Sequence, residues 1–300
     1  MQTTTAEFKI QFHPDYASIQ FSAMASPCDL LVDSQDPELI EKLALASVQE
    51  TKRIENKFSR YLSNNLCHAI NQSCGQPVEI DEECFRLLEF ANTCFELSDG
   101  LFDLTSGVLR KIWRFDGSDN IATQAQVEQM LPFIGWQKIH YTENHICVPE
   151  HMELDFGGIG KEYAVSKVAE LALKLAPSNS VLVNFGGDIQ VSQAKAKGQP
   201  WQVGIENPDF DQQTTKLIAI RQGSLATSGD SRRYLLCDGI RYSHILNPKT
   251  GWPVQGAPRA VTVAANQCIQ AGCLATLALL NGENAEAFLQ AQNIQYWCLR

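Results

Sequence analysis

The 300-residue sequence contains no run of lysine and arginine, no apolar stretch approaching membrane-spanning length, and no C-x-x-C pair. The first absence, with a formal net charge of −10, argues against nucleic acid or an anionic membrane surface as partner, because both need clustered positive charge. The second argues against a transmembrane helix. The opening stretch "MQTTTAEFKIQFHPDYASIQF" lacks the basic segment and following apolar segment of a secretory signal, so the expected location is cytoplasmic. The ten cysteines are scattered through helical and strand patterns and read as reduced, mostly buried thiols. Neither Cys67 with Cys74 nor Cys268 with Cys273 has the spacing of a structural zinc site. G-x-S-x-G is also missing, so no Ser-His-Asp triad is expected.

What is present is a hydrophobic content of 44%, enough for a substantial core in one large or two intimately packed domains. Asp36-Pro37 reads as a helix start, with a capping carboxylate and proline in the first turn. Ile40, Leu43, Ala44, Val48, Ile54 and Phe58 then keep helical spacing. A second helix is expected from about Asp81 to the "SDG" turn, and a third from Lys161 to about Ala176. Between residues 104 and 136 no period emerges, and "KIHYTENHICVP" reads as a hairpin. From residue 180 onward strand patterns dominate, among them "SVLVNFGGDIQVS", "TKLIAIR" and "AVTVAAN". The expected fold class is α+β with largely antiparallel sheets.

Several short stretches carry possible chemistry. "DFGGIGKEYAV" sets glycines before a helix, an arrangement that offers backbone N–H groups to phosphate oxygens or serves as a tight packing turn; it is neither G-x-G-x-x-G nor a Walker A loop. Asp188 in "NFGGDIQV" reads as an Asx turn or a polar site group. His244 lies between a strand and an Asn-Pro turn, as a structural histidine or an acid–base group. "ATSGDSRRY" adds Ser228 and Asp230 in a turn, with Arg232 and Arg233 available to anions.

"FSRY", "DGLFD", "DFGGIGKEYAV", "VNFGGDI", "WQVGIENP", "ATSGD", "YSHILNPKTGWPV" and "AGCLATLALL" follow one another in a fixed order. In that order they resemble the ApbE family, the FAD:protein FMN transferases, over nearly the whole chain. The resemblance implies cleavage of FAD at its pyrophosphate, attachment of FMN to a Thr or Ser of an acceptor flavoprotein, release of AMP, and use of Mg2+. It also implies an α+β, two-lobed architecture, with residues 1–20 as an N-terminal extension and 21–300 as one catalytic domain of two packed halves. By position, Met24, Tyr61, Leu101, Phe102, Asp103, Gly157, Tyr163 and Leu246 would line FAD. His244 or Asp230 would assist proton removal. Gly160, through its carbonyl, and Thr276 would hold Mg2+.

Five positions depart from the family's usual pattern. Gly272 stands where the "ADALAT" form carries the metal-binding aspartate, Asn247 replaces an aspartate, Ser166 replaces the aspartate of "YAVD", and Glu162 replaces a glycine. The glycine of the family's "AMGT" is Ala25 here. Glu162 is either a substitute charge for the metal or a solvent-facing residue of a first helical turn, and the second reading is expected. The loss at Gly272 keeps two alternatives open: a non-catalytic FAD-binding module, and an FAD pyrophosphatase with water as acceptor.

Overall fold

The computed structural model describes residues 2–4, 7–207, 210–230 and 233–300, without side-chain detail at 2–4, 206–207 and 210–215. Among the described residues, one nine-stranded sheet runs in the order Gln2–Thr4, Lys9–Phe12, Ala17–Ala23, Ser26–Val32, Val181–Phe185, Asp188–Val191, Gly223–Gly229, Ala260–Ala265 and Tyr296–Leu299. Each of its pairings is antiparallel, as the α+β expectation required. The helices are α1 Pro37–Phe58, α2 Leu66–Asn71, α3 Glu82–Leu97, α4 Gln124–Met130, α5 Gly160–Leu175, α6 Cys268–Leu280 and α7 Ala285–Ala291. None is long and apolar enough to cross a membrane.

Local chemistry accounts for the main elements. Asp36 caps α1 by accepting the Glu38 and Leu39 N–H groups at 3.0 and 3.4 Å, a contact of about 1 kcal/mol, and Pro37 presets the first turn. The buried stripe of α1 includes Ile40, Leu43, Ala44, Val48, Ile54 and Phe58 and faces the core. Helices α5 and α6 lie against the sheet, and α1 against α5. The ribbon of Trp201–Asn207 and Phe210–Ile220 is antiparallel, and its Trp201, Val203 and Ile220 bury Leu182, Ile189 and Val191 of the sheet. Covered on both sides, Val181–Phe185 reads "VLVNF" and is almost wholly buried.

The aperiodic stretch after residue 103 forms a 3-10 turn, Leu104–Lys111. It carries a separate core around Val108, Leu109, Trp113, Val127 and Leu235. The hairpin of His140–Tyr141 with His145–Cys147 forms as the sequence predicts, and α5 starts one residue earlier than expected. All ten cysteines are free thiols, six of them buried.

Candidate active site

The glycine loop is built around Asp155. Its Oδ1 accepts the Gly157 N–H at 2.9 Å, and its Oδ2 accepts Arg110 Nε at 3.0 Å and Arg60 Nη1 at 3.3 Å. These contacts tie "FSRY" to the loop. They leave the adjoining Tyr61 ring 77% exposed, with the Arg60 guanidinium 5.2 Å from its centroid. The Phe102 ring lies beneath the loop, 3.4 Å from where a side chain at Gly158 would begin, so the chain passes closely over an apolar floor.

Asp103 takes a different role from the one the motif implies. Its Oδ1 accepts the Thr105 N–H and hydroxyl at 2.7 and 2.6 Å, and its Oδ2 accepts the Trp136 N–H at 2.9 Å. Burial raises its pKa, partly offset by these hydrogen bonds. The carboxylate caps the 104–111 turn and pins it to residue 136, with both oxygens used within the chain.

Met24 and Ala25 form the two-residue turn closing Ala17–Ala23 onto Ser26–Val32, both with positive φ, +52° and +54°. A turn of this kind requires left-handed backbone at both positions, which explains the glycine in the family's usual form. The Met24 N–H donates to Glu55 Oε1 at 2.7 Å, and Met24 Cε lies 3.9 Å from where a Gly160 side chain would begin. The turn therefore sits over the start of α5.

At that start Ile159 offers no side-chain cap, and Gly160, Lys161 and Glu162 follow. Lys161 Nζ pairs with Asp188 Oδ2 at 2.8 Å, and Asp188 Oδ1 accepts the Thr227 N–H at 3.3 Å. Glu162 does not face water: it is 9% exposed. The expectation drawn from first-turn preferences fails because Gly272 of α6, without a side chain, opens the space that Glu162 enters. A Cβ on Gly272 would lie 2.5 Å from Glu162 Cγ. Burial, reinforced by Asp188 and opposed by Lys161, holds the Glu162 carboxyl well above the ordinary carboxylate range. Its Oε2 is buried with no hydrogen-bond partner.

Gly272 and Thr276 are four residues apart and share one face of α6. The Thr276 hydroxyl lies 2.9 Å from that of Ser228. Ser166, replacing the aspartate of the usual motif, accepts the Ile269 N–H at 3.3 Å, and Gln190 accepts that of Cys268 at 2.9 Å; together they cap α6 from outside. Among the described residues no three His, Cys, Asp or Glu side chains gather as a metal cluster. A cation here would draw on hydroxyl, main-chain and phosphate oxygens as well as one acid, a donor set suited to Mg2+.

His244 lies beside the second core, with its ring edge-on to Phe115 at 6.3 Å between centroids. Burial lowers its pKa to about 4, with the charges of Arg110 and Arg233 adding to the effect, so the imidazole is neutral at pH 7. Its Nδ1 is buried without a hydrogen-bond partner. Asp230, by contrast, is held by Arg259 Nε on Oδ1 at 2.8 Å and by Arg241 Nε on Oδ2 at 3.0 Å. Leu246 bridges to Pro253 and packs on the second core, while Asn247 Oδ1 accepts the Lys249 N–H at 2.9 Å, an Asx turn. Arg232 lies outside the described residues.

Tyr163 turns away from this assembly. Its hydroxyl donates to Glu83 Oε1 at 2.8 Å and its ring packs edge-on to Phe58. It lines a cavity of about 510 Å3 with Arg53, Glu83 and Lys167, which contains none of Met24, Glu162, His244 or Thr276. Those charges pair among themselves, Arg53 with Glu83 at 2.6 Å and Lys167 with Glu170 at 2.9 Å, so that cavity is not where the site's chemistry converges. Sequence reasoning missed Lys161 and left Asp188 undecided; the signal for both was their place beside the two glycine pairs.

Comparison with known proteins places this arrangement. The ApbE family model matches residues 17–298. A Klebsiella pneumoniae protein named FAD:protein FMN transferase is 30% identical over 261 residues, covering 85% of this chain and 79% of its own. A Vibrio cholerae protein of the same name is 29% identical over 240 residues, covering 77% and 71%. Among solved structures, the ApbE protein of Thermotoga maritima superposes with a TM-score of 0.85 at 29% identity, covering 94% of each chain. The apo flavinyl transferase ApbE of Pseudomonas stutzeri gives 0.83 at 25%, covering 99% of this chain and 93% of the other. With the family model matched almost end to end, the chain belongs to the ApbE family.

Proposed function

We propose that the protein transfers FMN from FAD to a serine or threonine hydroxyl of an acceptor flavoprotein, releasing AMP. The observation that carries this reading is the buried, unpartnered Nδ1 of a neutral His244 beside arginines that attract phosphate. The acceptor hydroxyl gives its proton to His244 as its oxygen bonds to the FMN-side phosphorus. The bond from that phosphorus to the bridging oxygen breaks, and AMP leaves with that oxygen. Asp230 has both oxygens engaged by guanidinium groups, which makes it an anchor for Arg241 and Arg259 and leaves the proton to His244.

Arg110, Lys161 and the uncapped amides opening α5 favour the pyrophosphate charge. Met24, Tyr61, Leu101, Phe102, Gly157 and Leu246 provide the apolar and main-chain walls for FAD. Thr276 and the Gly160 carbonyl would hold Mg2+, which when bound offsets the charge of the two phosphates. The catalytic domain, expected over residues 21–300, also takes in the strands Lys9–Phe12 and Ala17–Ala23, which belong to the same nine-stranded sheet, and its proposed location is the cytoplasm. Incubation with FAD, Mg2+ and a flavoprotein acceptor should give equal amounts of flavin-labelled acceptor and AMP. Release of neither would refute the proposal, and AMP with free FMN alone would replace transfer by hydrolysis.

A further inference from the structure

We infer that Glu162 is the acidic ligand of the metal site, supplying from α5 the carboxylate that the family's usual sequence supplies from α6. The inference rests on the FMN-transfer reading of this site and concerns only which side chain holds the cation. A Cβ on Gly272 would lie 2.5 Å from Glu162 Cγ and 3.0 Å from both Cδ and Oε1. An aspartate at 272 and the present Glu162 would claim the same volume, so the two acids are alternative occupants of one place. Gly272 shares its helix face with Thr276, which brings the glutamate to the side of α6 that bears the hydroxyl.

The charge balance points the same way. Glu162 and Asp188 are both buried, while Lys161 pairs directly with Asp188 at 2.8 Å. Glu162 Oε2 is left buried with no partner. Unpaired buried carboxylates are costly and are found where a cation or a proton completes them. A side chain that only filled the space would do so equally well as glutamine.

Mn2+ titrated into the full chain, followed by the spin-resonance signal of free Mn2+ with FAD present, tests this. Wild type should bind Mn2+, and Glu162→Gln should weaken binding at least about tenfold without lowering the metal-free melting temperature. Gly272→Asp alone should crowd Glu162 and lower that temperature. The exchange Glu162→Gly with Gly272→Asp should fold and bind Mn2+ within a few-fold of wild type. Failure of wild type to bind Mn2+, undiminished binding by Glu162→Gln, or a folded exchange variant that does not bind would each overturn the inference. Flavin fluorescence in the same titration separates the two claims: loss of FAD binding in wild type sinks the transfer reading, whereas FAD binding with Mn2+ affinity indifferent to residue 162 sinks only this one.

Discussion

The region around the 104–111 turn and the junction of α5 with α6 each bury a carboxylate, and they treat it in opposite ways. Asp103 and Glu162 are almost equally inaccessible, at 7% and 9%. Desolvation pushes both upward in pKa. Asp103 accepts three hydrogen bonds, while Glu162 leaves Oε2 with none. Burial alone therefore does not distinguish the two acids; they differ in how fully their oxygens are hydrogen-bonded. His244, packed on Phe115 beside the 104–111 turn, repeats the contrast: its Nδ1 is unpartnered while Asp230 nearby has both carboxylate oxygens bonded.

The strongest way to break that contrast is at His244. Its replacement by alanine should lower kcat by about 100- to 10,000-fold, the range for losing a general base, with little change in melting temperature. A stability loss matching the activity loss would make it a structural residue. Asp103→Ala should do the reverse. With three donors left unpaired in a buried place, it should lose about 3 kcal/mol, read as a shifted urea midpoint.

A satisfied carboxylate on the far side of α5 sharpens the comparison through pH. Burial alone would raise the Glu83 pKa, but hydrogen bonds from Arg53, Lys57 and Tyr163 outweigh it and lower the value from 4.5 to about 2. A depressed folded-state pKa means the contribution is fully present above about pH 4.5 and is lost as pH falls toward 2. Chemical denaturation across that window should show Glu83→Gln with a shallower acid loss than wild type. The smallest effect is expected at Ala25, where glycine should stabilise by about 1 kcal/mol by relieving a left-handed alanine. A melting temperature that falls on this change would contradict the account of the turn.

The contrast also explains what was legible in the sequence. The α1 start, the α5 span and the antiparallel strands depend on neighbours within a few residues, and Asp36-Pro37 or "VLVNF" announces them locally. The 104–111 turn was not legible because it is held by one cap and a contact to Trp136 instead of by a period. Glu162 misled for a related reason. A glutamate in a first helical turn is favourable in water, and only Gly272, far away in the chain, reveals the space that draws it inward. Asp103 and Tyr163 sit in recognisable motifs, yet their polar atoms go to Trp136 and Glu83, pairings no motif records.

The central claim is that an acceptor hydroxyl, and not water, attacks the FMN-side phosphorus. The direct measurement is mass spectrometry of the products formed from FAD and acceptor in water labelled with heavy oxygen. Transfer predicts an acceptor carrying FMN through an unlabelled phosphoester, with an equal amount of unlabelled AMP. Unmodified acceptor beside FMN or AMP bearing the heavy isotope would contradict it.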